Sequence, residues 1–268
     1  MDGLNRFMGC MLGGAVGDAL GFVIGKDDLK TIHKKYGPYG LRTVLKSAKN
    51  GNKSIISDDT QLSLFTADGM LWADHDGLEP TEGLYRSYMR WYYTQTERII
   101  RPEQEKWMNR QDHEVDLEYD MMGEQALFAR RSPGKTCLTA LASGKKLSRD
   151  ETLNHSSGNS TVMRAAPIGL FYEGDPEMAF FVGSQAASLT HGNPKAFLST
   201  ATISAIIASL AVGKDISTAL GGALHILQRD PEGARLLKLL LHAIDEAVTD
   251  RNPARSMKKI GLGKKADE

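Results

Sequence analysis

The amino-acid sequence predicts an all-α fold, and three observations support that prediction. Apolar residues recur at intervals of three and four along most of the 268 residues, which is the spacing of helices that bury one face. Helix start signals, an Asp or Asn followed by proline, precede two of these stretches. Runs that alternate apolar and polar residues, as in half-buried strands, are scarce. Because no internal repeat or low-complexity linker divides the chain, we expect residues 1–268 to form one domain.

The N-terminal part of the chain is predicted to begin with a helix over residues 4–20 and to continue with a second helix over 60–73. Several glycines lie between Gly9 and Gly21, and we expect them to allow close packing against another helix. Residues 39–57 are compatible with a short β-ribbon or with a loop that turns at Gly51 and Asn52.

Helical spacing continues through the rest of the chain, with further helices predicted over 82–97, 120–130, 216–228 and 231–249. One helix begins at Asp175-Pro176 and ends at Gly192, and Asn193-Pro194 begins the next. That next helix has an uncharged stretch, 196–213, close to the minimum length for crossing a bilayer. Its five Ser and Thr residues favour a central helix of a packed helical protein instead. The basic stretch 251–268 is predicted to be a frayed tail.

Composition narrows the class of protein and the compartment. Lys and Arg number 33, as do Asp and Glu, so the chain has no general attraction for nucleic acid or for an anionic membrane. We therefore expect neither partner. Two cysteines, Cys10 and Cys137, are too few for a disulfide scaffold or a zinc pattern. We therefore expect a reduced, cytoplasmic location. We also expect no signal peptide, because no basic segment followed by an apolar run occurs at the N-terminus.

The segment Ser57-Asp58-Asp59-Thr60-Gln61 is the sharpest local feature. One interpretation is helix capping, with Asp58 accepting backbone N–H groups and Gln61 completing a capping box. Capping requires only one of the two acids. Two carboxylates and a hydroxyl on neighbouring residues also suit a hard cation such as Mg²⁺, which prefers oxygen ligands and keeps several waters.

A small polar loop, residues 154–161, precedes an apolar stretch that reads as a buried helix. Its Ser, Gly and Asn content favours a turn with an N-cap. The alternative is a loop whose N–H groups and hydroxyls hold phosphate or ribose oxygens. His191, within Thr190-His191-Gly192, is predicted at a helix C-terminus. There a histidine serves as a cap or dipole partner, or hydrogen-bonds a ligand.

Five blocks in order along the chain resemble the ADP-ribosylglycohydrolase family, which includes the dinitrogenase reductase-activating glycohydrolase. They are GCMLGGAVGDALG (9–21), SDDTQLSLFTADGML (57–71), RRSPGKTCLTALASG (130–144), SSGNSTVMRAAPIGLF (156–171) and LTHGNPKA (189–196). The resemblance covers nearly the whole chain and implies an orthogonal, multi-helix single domain. It also implies Mg²⁺-dependent removal of ADP-ribose from a modified protein or a small ADP-ribosyl conjugate.

The resemblance also implies roles for individual residues. Ser57, Asp58 and Asp59 would be ligands of one or two magnesium ions, and the two acids would be catalytic. The loop that holds ADP-ribose would be lined by Ser156, Ser157, Gly158 and Asn159. His191 would contact the ligand near its ribose or its phosphates.

Two departures from the family pattern accompany the resemblance. Gly25 stands where the family has a Glu shortly after the GDALG segment. The family's later motif of two acids and a Thr does not occur before residue 268, so we expect the second metal site to be incomplete. We also expect apolar surface to be exposed on the first helix.

Three alternatives to an active hydrolase stay open. The first is a catalytically impaired module that binds ADP-ribose, and the second is a truncated and inactive member of the family. The third alternative is an unrelated metal phosphohydrolase built on Ser57, Asp58 and Asp59.

Overall fold

The computed structural model describes residues 3–47, 51–96, 100–108, 121–249, 252–261 and 265–267, and these residues form helices and no strands. The all-α prediction is therefore confirmed. The helices are α1 (Gly3–Ile24), α2 (Leu29–Tyr36), α3 (Asp58–Asp76), α4 (Pro80–Thr96), α5 (Glu105–Met108), α6 (Lys135–Ala142), α7 (Ala165–Phe171), α8 (Pro176–Ser188), α9 (Pro194–Ala211), α10 (Ile216–Arg229), α11 (Ala234–Thr249) and α12 (Pro253–Ile260). Short 3₁₀ segments cover Pro102–Gln104, Met121–Gly123, Gln125–Phe128 and Asn159–Arg164.

Helix α9 is the central helix of the domain, as its uncharged sequence predicts. It packs against α7, α8 and α10, and Phe197 and Ala201 belong to its buried core. Three of its hydroxyl groups, those of Thr200, Thr202 and Ser204, donate to carbonyls one turn earlier in the helix, and the bond from Thr202 Oγ1 to the carbonyl of Leu198 is 2.7 Å long. Such internal bonds let a helix with several Ser and Thr residues lie in a dry interior.

Helices α3 and α4 form the tightest pair near the N-terminal half, because two glycines remove the side chains at their crossing. A Cβ atom at Gly69 would lie 2.8 Å from Leu84 Cα, and one at Gly83 would lie 2.2 Å from the carbonyl oxygen of Gly69. Around this crossing, Phe65 and Trp91 are fully buried. The crossing fixes α3, whose first turn forms the candidate site.

Helix α1 lies on the surface, and Leu4 and Leu12 are 69% and 60% exposed. The expectation of exposed apolar surface on the first helix is confirmed. The expectation that its glycines serve close helix packing is wrong: among the described residues, no atom lies within 4 Å of a Cβ placed on any glycine from Gly9 to Gly21. Three of them instead line a cleft described below, namely Gly14, Gly17 and Gly21.

Two helices, α1 and α9, are long and apolar enough to cross a bilayer by length and composition alone. In α9, 67% of the apolar window is buried inside the protein, against 6% in α1. The core position of α9 explains its composition without a membrane.

Three predicted elements differ from the structure. The helix predicted over 120–130 is two 3₁₀ turns separated at Glu124, and residue 120 lies outside the described residues. In the described part of the range 39–57, which leaves out residues 48–50, the ribbon considered there is one bridge between Ser47 and Lys53, with Gly51 and Asn52 both at positive φ. The tail predicted to fray contains α12, which Asn252 caps, since an Asn before a proline is a favourable helix start.

Replacing Gly13 and Gly69 by alanine tests the two kinds of glycine separately. Gly13→Ala should raise the free energy of unfolding by about 0.5–1 kcal/mol, because the added methyl meets open space and restricts the unfolded chain. Gly69→Ala should lower it by about 2 kcal/mol, because the methyl overlaps the backbone of α4. Urea denaturation followed by circular dichroism measures both values. A loss of stability in Gly13→Ala would contradict the open surroundings of this position on α1.

Candidate active site: an acidic cleft beside a polar loop

The first turn of α3 is held by Asp18 of α1. The Asp18 carboxylate accepts four hydrogen bonds: from Ser57 N at 2.7 Å, Ser57 Oγ at 2.6 Å, Thr60 Oγ1 at 2.5 Å and Thr60 N at 3.3 Å. Ser57 is the N-cap, and its Oγ accepts from Asp59 N at 3.1 Å. A serine cap and an acid near a helix N-terminus both stabilise that end of the helix.

The interpretation that Asp58 and Gln61 cap the helix is therefore wrong. Ser57, and not Asp58, caps the helix. Gln61 makes no capping box, because its amide donates to the carbonyls of Leu127 and Ala129. Since Ser57 and Asp18 satisfy the helix end, the carboxylate of Asp59 remains available for another role.

Asp58 and Asp59 project into the same cleft. Asp58 is buried, and Asp59 is the more exposed of the two residues, although its carboxylate is partly enclosed by the cleft. Burial raises the pKa of the Asp58 carboxyl to about 7, and the charges of Asp59 and Asp18 add to that effect, whereas a backbone hydrogen bond from Gly134 opposes it. Partial burial of the Asp59 carboxylate, followed by the charge of Asp18, raises the pKa of Asp59 as well. Negative charge in this cleft is therefore poorly compensated.

The cleft has a volume of about 1020 Å³ and is bounded by α1, the start of α3, α7 and α9. Gly14, Gly17 and Gly21 form part of its α1 wall. The absence of side chains at these positions keeps the space above the acids open. Gly25 also lines the cleft, so the position where the family has a Glu faces the same space as Asp58.

The segment before α6 and the first turn of α6 connect the acids with the polar loop. Gly134 N donates to Asp58 Oδ2 at 3.1 Å. A Cβ atom on Gly134 would lie 3.3 Å from Ser160 Oγ, and Thr136 Oγ1 lies 3.3 Å from Ser156 Oγ. One residue of this segment, Ser132, lines the cleft in a left-handed conformation, with φ of 62°. The acids and the polar loop thus share one wall.

The polar loop is ordered by its own side chains. Ser156 N donates to Asn154 Oδ1 at 2.9 Å, and Gly158 N donates to Ser156 Oγ at 3.3 Å. Among the residues that line the acidic cleft, none comes from the predicted ligand loop of Ser156, Ser157, Gly158 and Asn159. The structure therefore places this loop behind the shared wall and not in the same cavity as the acids.

Residues 265–267 lie against this loop. Lys265 forms a bridge with Gly158, and Ala266 N donates to the carbonyl of Ser157 at 3.0 Å. The carboxylate of Asp267 pairs with Lys195 in the first turn of α9. Part of the stretch predicted to fray thus packs beside the predicted ligand loop.

His191 is fully buried, and both of its ring nitrogens have partners. Nε2 lies 3.2 Å from Ser160 Oγ, and Nδ1 lies 2.9 Å from Thr190 Oγ1. Burial and the nearby cation of Arg164 lower the pKa of His191 to about 3. Both ring nitrogens are thus engaged by protein hydroxyl groups, and the contact with a ligand that the resemblance implies stays a prediction. His191 is a neutral residue that holds Ser160 and the loop.

Asp18 and Ser160 are the residues that the sequence analysis missed. Asp18 is the one acid between Asp2 and Asp27 and lies within an apolar helix. Acids in such surroundings are rarely buried without a partner or a function, which is the signal that could have identified it. Ser160 has no comparable signal, since a serine in a polar loop is ordinary.

A divalent cation fits the two carboxylates better than it fits the full predicted ligand set. Asp58 and Asp59 carry charge that a cation would compensate, and oxygen is the ligand that Mg²⁺ prefers. Ser57 Oγ already donates to Asp18 and accepts from Asp59 N. Within the part of the chain that the structure describes, no group of three or more His, Cys, Asp or Glu side chains is arranged to hold a metal. Water would have to complete the coordination.

The fold and the site define an all-α protein with two acids in an open cleft and a polar loop behind one wall. A family model for the ADP-ribosylglycohydrolases matches residues 1–267. The chain belongs to the ADP-ribosylglycohydrolase family. Family membership indicates a hydrolase of the class that removes ADP-ribose from modified substrates. No curated protein matches the chain.

Replacing Asp18 tests the anchoring of α3. Asp18→Ala should lower the free energy of unfolding by about 3 kcal/mol, because several hydrogen bonds to a charged acceptor are lost together. Asp27→Ala is the control, since it removes only a surface ion pair with Lys35 and should cost less than about 1 kcal/mol. Equal losses in chemical denaturation would contradict the anchoring role.

The low pKa of His191 predicts a pH dependence of stability. The folded pKa, about 3, lies below the unfolded value of 6.5, so the unfolded chain binds the additional proton between these values. Stability is then complete above pH 6.5 and falls on acidification, by up to about 1.4 kcal/mol per pH unit. His191→Gln removes this contribution, and the difference between the two denaturation curves from pH 6.5 to 4 measures it. Parallel curves would rule out a buried neutral histidine.

Proposed function

We propose that the chain is a Mg²⁺-dependent ADP-ribosyl hydrolase that acts on ADP-ribosylated protein side chains or on small ADP-ribosyl conjugates. The observation that carries the proposal is the position of Asp58. Its carboxylate lines the cleft and accepts a hydrogen bond from Gly134, which also packs against Ser160 of the polar loop. A ligand that reaches around this wall would contact the acids at one end and the loop at the other.

Asp58 and Asp59 are proposed to hold the cation. Ser57 would either contribute the remaining lone pair of its Oγ atom or support Asp59 by accepting the hydrogen bond from its backbone N–H. When bound, Mg²⁺ would supply Lewis acidity to the ribose hydroxyls. Asp59 is the more exposed acid, so its carboxylate is placed to accept a hydrogen bond from water and orient it. Asp18 also lines the cleft, but its carboxylate already accepts hydrogen bonds from Ser57 and Thr60. Asp58 and Asp59 are then the acids left for a cation, which supports one ion rather than two, as expected from the incomplete family pattern.

The polar loop is proposed to bind the ADP-ribose moiety. Ser156, Ser157, Gly158 and Asn159 offer hydroxyl, amide and backbone groups that suit ribose and diphosphate oxygens. His191 holds Ser160 through a hydrogen bond. Gly158 lies close to the same ring, since a Cβ atom added to Gly158 would be 3.4 Å from His191 Nε2. The buried histidine therefore positions the loop for the ligand.

The proposed setting is a reduced cytoplasm, without nucleic acid or membrane as partner. Support for this comes from the balanced charge and from the two free cysteines, of which Cys137 is buried. The acceptor is an arginine, a serine or another ADP-ribosylated group, and an assay with both arginine-linked and serine-linked ADP-ribose distinguishes them.

A second candidate function is a module that binds ADP-ribose without turnover. Gly25 favours it, because that cleft position carries no carboxylate. Isothermal calorimetry with ADP-ribose separates the two functions. The hydrolase requires binding or release that depends on Mg²⁺, whereas the module binds ADP-ribose equally well in the presence of a chelator and releases nothing from modified substrates.

Substitution of the two acids tests the proposed hydrolase. Asp58→Asn and Asp59→Asn should each reduce Mg²⁺-dependent release of ADP-ribose by at least about 100-fold, because each removes charge that holds the cation. Asp74→Asn is a matched control, an exposed acid on the last turn of the same helix, and should retain full activity. Release of ADP-ribose is measured by chromatography. Unchanged rates in both cleft variants would reject the assignment.

A further inference from the structure

A second cavity of about 560 Å³ lies away from the acids, between α8, the loop after α6 and the end of α10. We call it the α8 groove. One face of α8 forms its floor, with Glu177, Phe181, Ser184, Gln185 and Ser188 among the lining residues. Residues three and four apart share a helix face, so this floor extends for about 16 Å along the axis at roughly 1.5 Å per residue.

The charged residues that line the groove do not call for an ionic ligand. Each lining cation already has a carboxylate partner among the described residues. The pairs are Lys146 with Glu82, Arg149 with Asp230 and Glu232, and Arg229 with Glu177. The guanidinium of Arg149 also stacks over the ring of Phe197, 4.5 Å from its centroid. The acid Asp150 lies at the exposed rim.

The floor of the groove combines an aromatic surface with an unsatisfied hydroxyl. Phe181 is 55% exposed, which is high for a large aromatic side chain. Ser184 is 3% exposed, and its Oγ has no hydrogen-bond partner in the described part of the chain. A helical serine usually bonds the carbonyl four residues earlier, and a buried hydroxyl without a partner is unfavourable. A ligand with a neutral donor or acceptor would satisfy it.

We propose that the α8 groove binds an extended, uncharged peptide segment that carries an aromatic side chain, supplied by the ADP-ribosylated protein. A peptide backbone offers alternating neutral donors and acceptors, which match the hydroxyl of Ser184 and the side-chain amide of Gln185. An aromatic anchor would pack on Phe181. About five residues of extended chain, at roughly 3.3 Å each, span the floor. This proposal rests on the proposed function, since it takes the modified protein as the partner.

The loop that walls the groove leads directly to the polar loop, which supports this choice of partner. Residues 146–150 line the groove, and four residues later Asn154 donates to the carbonyl of Thr190 at 2.9 Å. Thr152 packs closely on Gly192: a Cβ atom added to Gly192 would lie 2.6 Å from the Cβ atom of Thr152. A chain bound in the groove would therefore lie next to the loop proposed for ADP-ribose.

Nuclear magnetic resonance with a minimal probe tests the groove without any need for turnover. The probe is N-acetyl-L-phenylalanine methylamide, which has one aromatic ring and two peptide groups. We expect saturable shifts of the amide resonances of Phe181, Ser184 and Gln185. The aspartate and lysine analogues of the probe should bind at least about tenfold more weakly. Equal binding of all three analogues, or tighter binding of adenosine at the same resonances, would overturn the proposal.

Two variants and a control locate the probe. Phe181→Ala and Ser184→Ala should each weaken binding about fivefold or more, and neither should unfold the protein, because the first side chain is exposed and the second hydroxyl has no partner to lose. Leu71→Ala, of similar exposure at 53% on α3, should leave binding unchanged. Loss of binding in the control, or no change in both groove variants, would place the probe elsewhere.

Hydrolysis then connects the groove to the substrate. For an ADP-ribosylated peptide that contains phenylalanine, Phe181→Ala should raise KM about fivefold and leave kcat unchanged. For ADP-ribosyl-arginine, both constants should stay the same. Equal effects on the two substrates would reject the peptide role of the groove. A complete absence of hydrolysis in the wild type would reject the proposed function, whereas the binding measurements would still decide whether the groove takes peptide.

Discussion

The carboxylate of Asp18 holds the first turn of α3, and the geometry of the candidate site depends on that interaction. It accepts hydrogen bonds from the backbone and side chains of both Ser57 and Thr60. The helix end therefore does not need the next two acids to cap it. Asp58 and Asp59 are left to face the cleft, at a helix N-terminus whose dipole favours negative charge. Asp18, a single acid on a surface helix, thus determines how the side chains of Asp58 and Asp59 are oriented.

That arrangement concentrates charge that the protein itself does not neutralise. Burial raises the pKa of Asp58 to about 7, and the glycine wall of α1 keeps the space above it open. If stability were the only requirement, each acid would be paired with a cationic side chain or replaced by an uncharged residue. Poorly compensated carboxylates that face an open cleft are common at functional sites, and here they lie in a member of a glycohydrolase family.

Local patterns predicted the helices well, because apolar spacing and proline-based start signals act within a few residues. They predicted α8, α9, α10 and α11 to within a few residues, and they placed the two acids at a helix start. They failed where distant residues decide the outcome. Ser57 caps α3 and Asp18 holds the same turn from α1, so Asp58 is not used as the cap. Asp18 and Asp58 are 40 positions apart in the printed sequence. His191 is recognisable as a helix-end residue, but its burial depends on how α7, α8 and the polar loop pack. The open glycines of α1 also could not be distinguished from packed ones by sequence.

The most direct test of the central claim is to locate a divalent ion in solution. Mn²⁺ binds the same oxygen ligands as Mg²⁺ and broadens amide resonances close to it. We predict saturable broadening at Asp58, Asp59, Ser132 and Gly134 that Mg²⁺ reverses, with little effect at Asp74 in the last turn of α3. Broadening that is centred elsewhere, or that persists when both cleft acids are changed to asparagine, would contradict a cation site built on the start of α3.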